Sequence, residues 1–336
     1  MSVFVVLACA VVSQAGAHPV RPGQKFVAID SLKVRADESP VAKKSLDRLK
    51  WKPRTFSLEI EPSDERGAVL VRFPSPVSTS DPINDRVAME WYPARPVPGQ
   101  KTAVGKSVPA VVVVHESGRR MTVGRMFAGN LAAKGCHTFL IHLPYYGARL
   151  KKDSRRNDLI AMQAFPQAIA DVRRARDAVA VLPGVDANRI ALHGTSLGGI
   201  VSATAASLDD GFDSVFLILA GGDLASMIEN GKNESAQVRE KLRRAGVSAD
   251  QLRKLIEPIE PLRVAHRLNP KRTWLFSGAY DQVIPKANSD ALAKAAALDL
   301  DHHIVMPADH YTGILFMPVI VQKIADLIHQ REIVVE

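Results

Sequence analysis

The chain has 336 residues, a 46% hydrophobic composition and a formal charge of +9 at pH 7. That apolar share supports a sizeable core and excludes a disordered chain, and the length suits one large α/β domain with additions or two small domains. The basic pairs Lys43-Lys44, Arg119-Arg120, Lys151-Lys152, Arg155-Arg156 and Arg243-Arg244 have no interleaved aromatics, zinc-finger spacing or helix-turn-helix pattern, so they read as solvated faces rather than a nucleic-acid surface.

Residues 1–17 carry no charged side chain, although no lysine or arginine stands near Met1. Val3 to Val12 has the length of a signal-peptide core, and Ala15-Gly16-Ala17 supplies small residues for cleavage. The expectation is an exported protein, secreted or periplasmic, cut near Ala17; the alternative is a short buried segment of the mature fold. A spanning helix would need about 20 apolar residues, so no membrane span is expected in the mature chain. Residues 18–66 are polar, poorly periodic and broken by Pro22, Pro40, Pro53 and Pro62, which suggests an N-terminal extension lying across a domain formed by 67–336.

Val69 to Phe73 and Val87 to Trp91 have strand composition, with turn chemistry at Asp81-Pro82 and Asn84-Asp85 between them, and predict an antiparallel pair. Ala110 to Val114 is a continuous apolar run, as in a parallel strand buried on both faces. A helix over Met126 to Lys134, a strand at Thr138 to Ile141 and a helix carrying Ile169, Val172, Val179 and Leu182 follow. Further strands are expected at Arg189 to His193, Val215 to Leu219, Thr273 to Phe276 and His303 to Met306, with a last helix from Leu315 to Ile328. Strands and helices in this alternation predict a doubly wound, mostly parallel sheet. Residues 223–268 exceed a single crossover and are charged and helix-prone; they read as a helical cap over the carboxyl edge of the sheet, or as a surface helix pair.

Between the strand ending at His193 and a helix over Gly199 to Ala206 stands Gly194-Thr195-Ser196-Leu197-Gly198, a G-x-S-x-G pattern. Glycines on both sides of a serine permit the sharp strand-to-helix turn that exposes its hydroxyl. Such a serine needs a base, and the base needs an acid, in the chain order serine, acid, histidine. His310, between the last strand and the last helix, is the candidate base, against an exposed loop histidine. Asp281, in the loop after Thr273 to Phe276, is the candidate acid, with Asp223 as its rival and a turn-capping role as the alternative. The N–H groups of Leu197 and of Ser117, in the loop His115-Glu116-Ser117-Gly118, are the candidate oxyanion donors.

With these residues the chain resembles the α/β-hydrolase superfamily over roughly residues 68 to 332, and within it the dienelactone hydrolase group. The resemblance rests on the serine elbow, on Ser277-Gly278-Ala279-Tyr280-Asp281, on Asp309-His310 and on Glu116. It implies that Glu116 contacts the nucleophile, as the corresponding glutamate does in that group; the alternative is a pair with Arg119, Arg120 or Arg125. Arg149 looks like one of the two arginines that clamp the substrate carboxylate in that group, while Ile314 stands where the other would be. The group carries cysteine where this chain has Ser196. Tyr145 and Tyr146 either line a pocket or pack their loop. The implied activity is that of a serine esterase on a small-molecule or acylated-carbohydrate ester, with no metal or cofactor. A serine peptidase of the same fold and a non-catalytic binding protein are the rival readings.

Overall fold

A computed structural model of the protein describes residues 18–65, 67–97, 107–151 and 158–330. The leader expected over 1–17 and the pair Arg155-Arg156 lie outside them. In chain order the elements are β1 (Lys25–Ile29), α1 (Pro40–Leu49), β2 (Thr55–Pro62), β3 (Val69–Pro74), β4 (Arg86–Tyr92), β5 (Val108–Val114), α2 (Thr122–Ala132) and β6 (His137–Ile141). They continue with α3 (Asp158–Gln163), α4 (Phe165–Ala180), β7 (Val185–Thr195), α5 (Leu197–Ala206), β8 (Val215–Ile218), α6 (Leu224–Asn230), α7 (Glu234–Arg244) and α8 (Ala249–Ile256). The last are β9 (Thr273–Gly278), α9 (Lys286–Ala295), β10 (His303–Met306) and α10 (Met317–Gln330).

The ten strands form one sheet in the order β1-β2-β3-β4-β6-β5-β7-β8-β9-β10. Pairing is antiparallel from β1 through β4 to β6 and parallel from β6 to β10. The fold is therefore α/β with a mostly parallel sheet, as the alternation of strands and helices implied. Ala110 to Val114 of β5, and the whole of β6 and β8, are buried, because helices cover both faces of the parallel part. The chain leaves β5 for β6 on one side and returns to β7 on the other. This reversal opens a crevice at the carboxyl ends of β5 and β7, where open α/β sheets bind ligands.

Residues 18–65 join the domain through its sheet. They add β1 and β2 to the antiparallel edge of the sheet, and α1 packs beside α4. In β2 the buried Phe56, Leu58 and Ile60 alternate with Thr55, Ser57 and Glu59, so half of a genuine strand is polar and the segment looks irregular in composition. Buried ion pairs hold this edge in place. Arg174 of α4 binds Asp30, just past β1, at 2.8 Å through Nε, and Arg173 grips Asp209 at 2.7 and 2.8 Å. The stretch Thr312–Gln330 has the length and mean hydropathy of a membrane span, yet Met317, Ile320, Val321, Ile324 and Ile328 put its apolar stripe into the core.

Two core histidines make the fold acid-sensitive. Burial pushes His193 of β7, packed 4.3 Å from the Phe127 ring, down to about 3, and burial with the nearby His18 pushes His137 down to about 4. In the unfolded chain both titrate near ~6.5. Below that pH the unfolded state takes up protons that the folded state refuses, so their stability contribution is complete above about 6.5 and is lost as the pH falls toward their folded values. The urea midpoint is expected to drop between pH 7 and pH 4, and His193→Leu should make that drop shallower. An unchanged slope would assign the loss to other groups.

Candidate active site

β7 runs straight into α5 through Ser196, whose backbone sits at φ 53°, ψ −116°. An L-residue held there stores on the order of 1–3 kcal/mol of strain, which the packing around it must offset. The glycines are required by close approach. A Cβ on Gly194 would lie 2.3 Å from the Gly198 carbonyl oxygen, one on Gly198 2.2 Å from that of Val114, and one on Gly199 2.6 Å from the Ala220 Cβ. The Ser196 N–H donates to Ile218 O at 2.8 Å and pins the turn to β8.

The loops after β9 and β10 bring the other two groups to this turn. Ala279 N–H and Tyr280 N–H donate to Met306 O and Ala308 O, at 2.8 and 3.0 Å, which fastens the two loops together. The Asp281 Oδ1 accepts from the N–H groups of Val283 and Ile284 at 2.8 and 2.9 Å, leaving Oδ2 to face His310 Nδ1 at 2.7 Å. A carboxylate can only accept, so Nδ1 carries the proton and Nε2 receives the Ser196 hydroxyl at 2.9 Å. Serine, histidine and aspartate thus form one continuous hydrogen-bonded chain. Asp309 turns away and binds the N–H groups of Tyr311 and Thr312.

The rival acid is placed elsewhere. Asp223 is exposed at the N-cap of α6, where its side chain accepts from Ser226 N–H at 3.2 Å. The other histidines near the strand ends are also committed, His302 to Asp299 and His303 to the Ser277 hydroxyl.

Leu197 and Ser117 both line a cavity of about 520 Å³ that includes Ser196. Leu197 is the first residue of α5, so its N–H has no acceptor within the helix and lies at the positive end of the helix dipole. The peptide before Ser117 is fixed by His115, a residue to which sequence alone assigns no role. His115 Nε2 accepts from Leu143 N–H at 3.1 Å, so Nδ1 must be the donor, and it binds the Glu116 carbonyl at 2.5 Å. That carbonyl shares a trans peptide with the Ser117 N–H, which therefore points the opposite way. The only signal in the sequence was the position of a histidine at the end of a buried apolar strand.

Three expectations need correction. Glu116 neither touches Ser196 nor pairs with an arginine. Its two oxygens accept from Val123 and Gly124 N–H at 3.2 and 3.0 Å and cap α2, which has no side-chain cap from Met121. Arg125 pairs instead with Glu65 and Glu90. Arg149 is 0% exposed and is spent on Asn84 O, His142 O and, at 2.8 Å, Asp171 of α4, so it offers no guanidinium to the cavity. Of the tyrosines, Tyr146 lines the cavity and donates to Ser117 O at 3.1 Å, whereas Tyr145 is outside the wall and takes a turn position at φ 63°.

The segment 223–268 forms α6 to α8, and its helices α6 and α7 supply cavity wall opposite α4 and α5. It is fastened to the catalytic-side loops at three points. Lys232 N–H donates to Gln282 O, Ser235 Oγ to Val283 O, and Tyr311 Oη to Glu234 Oε2, at 2.6, 2.8 and 2.6 Å. The buried place of Arg149 has a measurable consequence. Arg149→Met is expected to cost about 3–5 kcal/mol in urea unfolding by leaving Asp171 buried and unpaired, with KM unaltered. A raised KM at unchanged stability would return Arg149 to the substrate.

No family model matches the chain, and no curated protein matches it. Solved structures do. The acetyl xylan esterase from Paenibacillus sp. R4 superposes with a TM-score of 0.61 at 16% identity, over 86% of this chain and 95% of that one. Acetyl xylan esterase 1 from Thermoanaerobacterium sp. JW/SL YS485 gives 0.55 at 17% identity, over 87% and 96%. A puromycin-hydrolyzing peptidase of Mycobacterium tuberculosis gives 0.56 at 18% identity, over 82% of this chain and 46% of that longer one. With Glu116 and Arg149 engaged elsewhere, the likeness rests on the common architecture: this chain has the α/β-hydrolase fold.

Proposed function

We propose that this protein is a serine hydrolase that cleaves carboxylic esters of small or acylated substrates through an acyl-enzyme. The observation that carries the reading is the unbroken chain from Ser196 Oγ through His310 to Asp281, at 2.9 and 2.7 Å, beside an apolar cavity. Ser196 Oγ attacks the ester carbonyl carbon while its proton passes to His310 Nε2. The carbonyl oxygen becomes an oxyanion, received by the N–H groups of Leu197 and Ser117. The C–O bond to the alcohol then breaks, and the alcohol leaves with the proton from His310. Water attacks the acyl-serine with His310 again as base, and the acid departs as the Ser196 hydroxyl is restored.

The esterase names among the structural neighbours support an ester bond, and the peptidase name supports the rival reading, a peptide bond cut by the same residues. Turnover of peptide p-nitroanilides without turnover of p-nitrophenyl esters would favour the peptidase. A fluorophosphonate probe should label Ser196, because a hydroxyl with a base in hydrogen-bond reach is far more reactive than a surface serine. Labelling that survives Ser196→Ala would remove the nucleophile assignment.

The acid can be tested separately. Asp281→Asn is expected to lower turnover by about 10⁴-fold, since an amide at Oδ2 favours the wrong imidazole tautomer. Asp223→Asn should leave turnover unchanged and stability nearly so, because asparagine caps a helix about as well as aspartate. If Asp223→Asn is the inactive variant, the proton relay described above is not the one in use.

A further inference from the structure

The cavity beside Ser196 carries more information than the hydrolytic chemistry needs, since an acetyl group would fill a small fraction of about 520 Å³. Its shape follows from α7. Glu234, Val238, Lys241, Leu242 and Ala245 all line the cavity, at the spacing of one helix face. Glu234 marks the catalytic end, because it holds the Tyr311 hydroxyl next to His310. From Glu234 to Ala245 the helix advances about 16 Å at ~1.5 Å per residue, so the cavity is a long slot rather than a round pocket.

The slot is largely apolar between its ends. Phe165 and Ala168 of α4 and Ile200 and Val201 of α5 form one side, and Met227 and Leu242 face them from the cap. Of the polar α7 residues on the wall, Gln237 and Lys241 are exposed, Glu234 is half-buried and holds Tyr311, and Ser235 is buried and donates to Val283 O. Such a wall stabilises methylene groups and offers a carboxylate or a sugar hydroxyl few partners. Met227 and Met162, unbranched and adaptable, suit a flexible occupant.

Which half of an ester enters is set by the histidine. The leaving oxygen must take its proton from His310, so the alcohol departs on the His310 side of the scissile carbonyl. Ser117, Ser196 and Leu197 are part of the cavity wall, whereas His310 is not. The nucleophile and both N–H donors that would hold the acyl carbonyl adjoin the slot, so it is assigned to the acyl half, and the alcohol series below tests the other assignment.

We propose that the slot under α7 is an acyl site for linear alkanoyl groups of about six to ten carbons, and that the enzyme prefers medium-chain esters to acetates. This rests on the ester-hydrolase reading above. The test is a series of p-nitrophenyl esters from acetate to dodecanoate, with the leaving group fixed, beside a series of acetates from ethyl to octyl alcohol. The expected result is a kcat/KM that rises about threefold per methylene up to octanoate, the equivalent of most of ~0.8 kcal/mol per buried CH₂, and a flat alcohol series. Val238→Trp should narrow the slot and lower the octanoate-to-acetate ratio at least tenfold in protein that melts like the parent. A series that is flat or falls from acetate, a rise in the alcohol series instead, or a ratio indifferent to Val238→Trp would each overturn the proposal while leaving the esterase reading intact. If Ser196 takes no fluorophosphonate and no ester turns over, it is the functional reading that fails. The slot is then judged on Ser196→Ala protein by whether octanoate, and not acetate, raises Tm; no rise overturns it.

Discussion

The tightest constraint in this molecule is the contact between β7 and α5. Gly194, Gly198 and Gly199 bring backbone against backbone at distances where a Cβ would lie 2.2–2.6 Å from its neighbours. Only that approach lets Ser196 stand at φ 53° with its side chain at the carboxyl edge of the sheet and its successor at the start of a helix. The strand order then matters, because β7 lies beside β5 at the point where the chain reverses direction across the sheet. The loop carrying Ser117 and the turn carrying Ser196 are therefore neighbours by topology, and the loops after β9 and β10 converge from the other side.

Around this turn, several polar groups act as supports rather than as chemistry. His115 holds the Glu116 carbonyl and so fixes the peptide before Ser117. Glu116 closes the start of α2. Arg149 ties the loop after β6 to α4 through Asp171, with Glu90 and His142 buried nearby at 2.9 Å from each other. The hydrogen bonds of the Glu90 carboxylate with His142 and Arg125 outweigh its burial and hold it down at about 2, so Glu90 is ionised throughout the physiological range, whereas burial lowers His142. Residues that a motif comparison assigns to substrate are here consumed in fixing the loops around Ser196 and Ser117.

The segment 223–268 is tied to the loops that carry Asp281 and His310. Its hydrogen bonds to Gln282, Val283 and Tyr311 join it to the residues flanking Asp281 and His310. The helix that shapes the cavity is thereby fixed relative to the loops that carry Asp281 and His310.

The sequence by itself determined the alternation of strands and helices, because buried parallel strands such as Ala110 to Val114 leave an unbroken apolar run that no other element explains. It also determined the elbow, because the turn tolerates only glycine at three places. The order serine, aspartate, histidine was legible for the same reason, as a consequence of where loops fall after successive strands. β2 was hidden by its polar alternate residues, and its place in the sheet emerges only with the ion pairs that hold the edge to α4. The roles of Glu116, Arg149 and Asp223 were decided by tertiary structure alone. A charged side chain near a motif has the same appearance in sequence whether it faces a substrate, a helix terminus or a buried partner, and what distinguishes these is distance and burial, which exist only once the chain has folded.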